Sequence, residues 1–307
     1  MKPTRPALRY HGGKFRAADW IAAHFPPHRI YVEPYGGAAS VLLQKPRSFA
    51  EVYNDVDEEI VAFFRVLRDP TTAAQLRELL ELTPFARREL ELAFEPSPDP
   101  VEQARRTLVK AYMGFGSDAV HRPGPRGMRL AVSTNREKHA GTTGFRLNRN
   151  QNGAHPARDW SKWPEQVPAF VARLRGVAIE CRPALDVIRL FDKPDTLFYL
   201  DPPYVHSTRT SADRNGYRHE MSDDDHRELA AWARSTEAAV VISGYASELY
   251  DEELYPDWKR VTRKAYADAR RQSSDSVAGP WRTEVLWISP TAAARGGTLT
   301  LFAGEHG

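Results

Sequence analysis

Thr196-Leu197-Phe198-Tyr199-Leu200-Asp201-Pro202-Pro203-Tyr204 is an unbroken apolar run that stops at a carboxylate. A run this short and this apolar predicts a buried strand of a parallel sheet. Open α/β sheets bind their ligands outside the carboxyl ends of the strands, so Asp201 stands where such a fold keeps its chemistry. The two prolines fix their own φ angles and donate nothing, which leaves a stiff, acceptor-rich backbone after the acid. A carboxylate beside a carbonyl with no competing donor suits an NH2 group, which has two hydrogens to give. Tyr204 adds an aromatic face. A planar ring with an exocyclic amine, such as adenine, fits that set of groups. The plain alternative is a strand end closed by an Asp turn with a packed tyrosine.

Upstream, Ile30 to Val32 reads as another short strand, followed by the turn Glu33-Pro34-Tyr35-Gly36-Gly37 and a helix start over Ala38 to Leu43. This is the first βα unit of a nucleotide-binding sheet. The G-x-G-x-x-G spacing is incomplete, which favours a ligand without a pyrophosphate. Glu51 to Tyr53 reads as the second strand and leads to Asp55, 22 residues beyond Glu33. An acid there suits ribose hydroxyls, or a cap for the helix predicted over Glu58 to Leu67, or both. Before all of this, Arg9-Tyr10-His11-Gly12-Gly13-Lys14 sets a glycine pair between an aromatic residue and a cation, a loop able to approach a ligand closely. Phe15 to His24 has helical character.

From about Pro70 the strand–helix alternation lapses. Helices are predicted over Thr72 to Leu82, Phe85 to Phe94 and Val101 to Met113, and a long aperiodic stretch runs from Met113 to Trp160. Between Ala104 and Lys162 there are 12 Lys or Arg and 3 acids, a surplus of nine in a chain whose net charge is +3. Positive charge so localised is the footprint of a phosphate-binding surface; the alternative is a solvated basic loop. Trp163 to Leu174 reads as one helix, Val177 to Ile179 as a strand, and Ser222 with Asp225 as the capped start of a helix through Trp232. A further strand is predicted over Ala239 to Ile242, and Val261 to Tyr266 with Thr283 to Ile288 as a terminal pair. The polar loop His206 to Glu220, with Arg209, Arg214 and Arg218, is a candidate lid or DNA contact.

The 307 residues and 41% hydrophobic content support an ordinary globular core. The single cysteine, Cys181, excludes an internal disulfide and a Cys-based zinc site. No metal site is expected. No apolar run reaches membrane-spanning length, so the chain reads as cytoplasmic, without a membrane.

Taken in order, the Gly-Gly-Lys loop, the Glu-Pro-Tyr-Gly-Gly turn, the acid at 55, the basic insertion and Asp-Pro-Pro-Tyr resemble the Dam-like, alpha-class (D12-type) adenine-N6 DNA methyltransferases. Tyr245 and Glu284-Val285-Leu286-Trp287 resemble that family too. The resemblance implies a Rossmann-like α/β methyltransferase sheet over 1–69 and 176–290, a mostly helical and loop-rich target-recognition insertion over 70–175, and a C-terminal tail over 291–307. It implies S-adenosyl-L-methionine as methyl donor, held by Tyr10, Gly12, Gly13, Lys14, Glu33, Pro34, Tyr35, Gly36, Gly37, Asp55 and Asp201. Asp201, Pro202, Pro203 and Tyr204 then hold an adenine flipped out of double-stranded DNA. Arg9, Arg122, Arg126, Arg129, Arg146 and Arg149 are the expected DNA contacts. Two departures stand out: Ala39 occupies a position that is often glycine, and where relatives carry an acid near Pro183 this chain offers Asp186.

The alternatives are an RNA methyltransferase, since some enzymes acting on guanine N2 have a similar tetrapeptide, and a DNA-binding protein whose catalytic site has decayed. A restriction endonuclease partner is compatible with the class, and monomeric action is expected. Thr298 to Phe302 loosely resembles sliding-clamp-binding peptides but lacks their usual Gln, which favours a plain tail.

Overall fold

The computed structural model describes residues 2–116, 119–121, 144–146, 155–208, 218–266 and 281–302. Their strands form one seven-stranded sheet in the order β3-β2-β1-β4-β5-β7-β6. Here β1 is Ile30–Glu33, β2 Ala50–Asn54, β3 Val177–Glu180, β4 Thr196–Leu200, β5 Ala239–Tyr245, β6 Lys259–Tyr266 and β7 Trp281–Ile288. The first five are parallel, and β7 lies antiparallel between β5 and β6. The helices are α1 Ala18–Ala22, α2 Ser40–Gln44, α3 Glu58–Arg68, α4 Pro70–Leu82, α5 Arg87–Leu92, α6 Pro100–Met113, α7 Pro156–Ser161, α8 Val167–Leu174, α9 Ala184–Phe191, α10 Asp223–Ser235 and α11 Pro290–Phe302.

All five residues of β4 are buried, as an apolar run between two helical layers requires. Because side chains alternate along a strand, Leu197 and Tyr199 join one core layer while Phe198 and Leu200 join the other. The first layer also holds Leu76 of α4, Leu90 of α5, Leu108 of α6 and Phe170 of α8. The helices of 70–175 thus share the core that backs the sheet. A buried ion cluster ties them down: Arg173 donates twice to Glu51 on β2 at 2.6 and 2.9 Å, and Lys45 reaches the same carboxylate at 2.6 Å.

Several boundaries differ from expectation for local reasons. Asp57, not Asp55, caps α3, its side chain accepting from the Glu59 amide at 3.0 Å. Phe15 to His24 forms helix only over α1. Pro168, with no N–H to return to the Pro164 carbonyl, splits the helix expected over Trp163 to Leu174 into a 3-10 turn at Pro164–Gln166 and α8. The expected tail begins as α11, directly after β7. Ser222 and Asp225 form the capping box of α10. Among the described residues no helix is long and apolar enough to cross a membrane.

The strand order reverses between β1 and β4, since chain connections lead from β1 outward to β2 and β3 on one side and from β4 to β5 on the other. Such a switch point leaves a crevice at the carboxyl ends of the two central strands.

Candidate active site

A cavity of about 340 Å³ fills that crevice. Its lining brings together Tyr10, Gly12, Gly13 and Lys14 from the N-terminal loop, Glu33 to Gly37 from the end of β1, Asp55 from the end of β2, and Asp201 and Pro203 from the end of β4. These residues lie far apart in sequence and meet because parallel strands deliver their carboxyl ends to one edge.

The β1 turn is fitted to its neighbours by glycine. A Cβ on Gly36 would sit 2.1 Å from the Tyr53 ring, and one on Gly37, where φ is +47°, would sit 2.8 Å from the Tyr10 ring. Tyr53 donates its hydroxyl hydrogen to the Gly37 carbonyl at 2.8 Å, and Asn54 donates to the Pro34 carbonyl at 2.8 Å. Asp55 accepts the Gly37 amide at 2.7 Å on one oxygen and the Asp57 amide at 2.8 Å on the other. Each oxygen keeps a second lone pair, and Asp55 faces the cavity. Burial raises its pKa, with the two amides opposing the shift.

Glu33 is buried below the turn, accepting from the Tyr31 hydroxyl at 2.7 Å and the Leu42 amide at 2.9 Å. Burial pushes its pKa up to about 8, those two bonds opposing the shift. It therefore holds its proton at neutral pH and acts as a neutral part of the floor.

Asp201 is arranged differently. Ser243, at the adjoining position on β5, donates to its Oδ1 at 2.7 Å, and the Lys14 ammonium lies 3.0 Å from the same oxygen. Among the described residues nothing donates to Oδ2. Ser243 Oγ also lies 2.8 Å from the Tyr199 hydroxyl. A carboxylate only accepts, so the serine hydrogen points to Asp201 and Tyr199 donates to the serine oxygen. Lys14, buried, also donates to the Gly12 carbonyl at 2.8 Å and bonds the Tyr204 hydroxyl.

Pro202 and Tyr204 do not line the main cavity. Tyr204 is buried against Tyr245, ring centres 4.6 Å apart, beside a hollow of about 10 Å³ lined also by Val205, Thr208, Ser243, Gly244 and Tyr250. Asp186 does not line the cavity either. It stands on α9, half-exposed and 3.4 Å from Arg189, while Arg182 to Leu185 form that wall. Asp186 thus stands outside the lining, beside the buried Val187 and Ile188 of α9. Arg9 lies outside the lining. Arg146 faces Asp159 at 3.6 Å, and its amide donates to the Met113 carbonyl at 2.7 Å. Arg122, Arg126, Arg129, Arg149, Arg209 and Arg214 lie outside the described residues. Arg218 turns back to Asp57 Oδ1 at 3.1 Å.

Three participants escaped the sequence reading. Ser243 had a signal, being the first polar residue after a buried apolar run, as Asp201 is. Asp57 had one too, standing directly before the acidic first turn of α3. His121 had none that sets it apart from a surface histidine, yet its ring is buried on the cavity wall, edge-on to Tyr10 with centres 4.6 Å apart.

A mostly parallel open sheet with a cavity at its switch point, lined by Asp201 and Pro203 at the end of β4, has the architecture of a Rossmann-like methyltransferase. The family model for D12 class N6 adenine-specific DNA methyltransferase matches residues 10–93 and 133–271, and the chain belongs to that family. It is an enzyme that methylates adenine in DNA. Among its relatives, the DNA adenine methylase of Serratia marcescens is 23% identical over 286 residues, spanning 91% of this chain and 96% of that one. That of Salmonella typhi is 22% identical over 285 residues, spanning 90% and 91%.

Proposed function

We propose that the methyl donor is S-adenosyl-L-methionine, bound in the 340 Å³ cavity, and that Asp201 with the Pro202 carbonyl holds the target adenine. The observation that carries this reading is the division of labour at Asp201. Oδ1 is occupied by Ser243 and Lys14, so the carboxylate is fixed with Oδ2 left for a donor from outside.

The cavity suits the donor on its own chemistry. Asp55 presents two spare lone pairs, a match for a ribose diol, and the apolar side chains of Tyr35, Val56 and Leu185 offer surface to a base. The glycine turn brings backbone rather than cations to the ligand, as expected for a nucleoside without a pyrophosphate. When bound, S-adenosylmethionine supplies an electrophilic sulfonium methyl. Asp201 and the Pro202 carbonyl accept the amine hydrogens of adenine, whose nitrogen lone pair is otherwise delocalised into the ring, and so orient that lone pair. Lys14 holds Asp201 from the donor side.

The 10 Å³ hollow beside Tyr204 has room for about one water, so seating a base there requires the Tyr204 and Tyr245 rings to part. Unstacking a base costs a few kcal/mol, and contact with Tyr204 offsets part of it. The substrate is double-stranded DNA, gripped by the basic segment around Arg122, Arg126, Arg129, Arg146 and Arg149, with Arg9 toward a base and 70–175 as the recognition segment. DNA affinity should then fall steeply with salt.

The test is sequencing for N6-methyladenine in DNA from cells expressing wild type or Asp201→Ala. Wild type should mark one sequence context and the variant none. Marks from the variant at the wild-type level would overturn the role of Asp201.

A further inference from the structure

Asp55 accounts for one side of a ribose. His121 stands on the same wall and has no part in the chemistry above. Its side chain is 5% exposed, and it lines the cavity. Nδ1 lies 3.7 Å from Asp57 Oδ2, long for a hydrogen bond but within ion-pairing distance, and the ring helps hold the Asp57 pKa down; Nε2 has no hydrogen-bond partner. A buried imidazole nitrogen left without a hydrogen bond, as Nε2 is, is costly, because it was hydrated in the unfolded chain.

The placement is built into the fold. His121 ends the 3-10 turn Ala119–His121, anchored by buried Ala119 and Val120. That turn closes on the end of α6 only because Gly114 has no side chain: a Cβ there would stand 2.5 Å from both the Ala119 Cβ and the Lys110 carbonyl. The ring then packs edge-on against Tyr10 at 82°.

We propose that His121 is a donor-binding residue, contributed from beyond α6, that hydrogen-bonds a ribose hydroxyl of the methyl donor beside Asp55. The inference rests on the reading that this cavity holds S-adenosylmethionine. Nε2 can serve a ribose hydroxyl in either tautomer, since a hydroxyl both donates and accepts. The donor's carboxylate is the wrong partner, since Asp55 and Asp57 set a negative field at this end, and Asp57 is already faced by both His121 and Arg218. The contact also joins the segment that leads into the basic stretch to the donor cavity.

The experiment measures binding of S-adenosylhomocysteine, the demethylated donor, by calorimetry to full-length wild type, His121→Ala, His121→Asn and Asp55→Ala. His121→Ala should bind about tenfold more weakly, the scale of one hydrogen bond to a ligand, with His121→Asn recovering part of the loss. With the 2′-deoxy or the 3′-deoxy ribose analogue, the penalty of His121→Ala should disappear. Wild-type affinity in folded His121→Ala, alongside weakened Asp55→Ala, overturns the assignment of His121. So does a penalty that vanishes with the desamino analogue instead, because the ring would then face the amino-acid end. If wild type binds no S-adenosylhomocysteine, the donor reading of the cavity falls, and the inference with it. His121→Asn keeps a hydrogen-bonding group in place, so a folding defect in His121→Ala leaves the question answerable.

Discussion

Two acids end neighbouring regions of the sheet and are held in opposite ways. At the end of β2, Asp55 spends one lone pair of each oxygen on a backbone amide, so its position is fixed by the main chain of two loops. At the end of β4, Asp201 is held through side chains on one oxygen alone, with Tyr199 behind Ser243 and Lys14 opposite. Backbone clamping makes a rigid acceptor for a group that does not react. Side-chain clamping of one oxygen leaves the other free to follow an amine as its bonding changes. On the function proposed above, that difference separates holding the donor from orienting the reacting amine.

The largest effect should come from exchanging each acid for its amide. Asp201→Asn turns one oxygen into a donor facing the amine, so turnover should fall by about 10²–10³-fold while the folded state persists. Asp55→Asn sets an NH2 against one of two backbone amides, so stability should drop by roughly 1–3 kcal/mol and donor binding should weaken. Turnover, calorimetric donor affinity and urea unfolding of both variants test the contrast. It breaks if Asp55→Asn is as stable and as tight as wild type.

Glu33, beneath both sites, tests whether the floor is neutral. The folded chain keeps this proton between about pH 4.5 and 8, where the unfolded chain has lost it. The folded state therefore binds more protons in that window, and stability falls as pH rises through it. Glu33→Gln has no proton to lose. The stability of wild type relative to Glu33→Gln should decline by on the order of 4 kcal/mol from the bottom of the window to the top. Urea unfolding of both at pH 5 and pH 8 measures this, and a gap that does not change with pH would mean Glu33 titrates as an ordinary carboxylate.

Ser243→Ala probes the side-chain clamp. Freed on one side, Asp201 should lose its orientation, lowering kcat by about tenfold with donor affinity held within twofold. The change also leaves the buried Tyr199 hydroxyl unpartnered, so adding Tyr199→Phe should restore stability without restoring turnover. Equal kcat in wild type and Ser243→Ala would reduce the serine to a packing residue.

The sheet was readable because short, mostly apolar strand-length runs end at polar residues, Glu33, Asn54 and Asp201. Asp55 and Asp201, the acids proposed above to hold donor and adenine, directly follow two of those strands. Their division of labour was not readable, since it depends on neighbours from other strands: Ser243 reaches Asp201 only because β5 lies beside β4. His121 stayed hidden because burial, not residue type, makes it notable. The boundaries that slipped, at α1 and at Pro168, are short segments whose ends are set by packing and by a missing N–H.

The smallest effect lies in the frame between the two acids. Ala39, where relatives often carry glycine, has φ 52° and ψ 31°, the only left-handed non-glycine among the described residues, and it caps α2 without a side-chain bond. Left-handed backbone costs an alanine roughly 1–2 kcal/mol, and glycine is also the better residue at a helix N-cap. Against this, Ala39→Gly removes a buried methyl worth about 0.8 kcal/mol and frees the unfolded chain by about 0.4–1 kcal/mol. The terms nearly cancel, so Ala39→Gly should leave stability within about 1 kcal/mol of wild type. Ala38→Gly next to it, also buried but without a positive φ, receives no such relief and should cost roughly 1–2 kcal/mol. Ala39 does not line the cavity whereas Ala38 does, so turnover per folded molecule should match wild type for Ala39→Gly. Urea unfolding of the two variants side by side decides it. Equal losses at 38 and 39 would mean that the left-handed turn into α2 is relaxed and that the glycine turn does not depend on strain at Ala39.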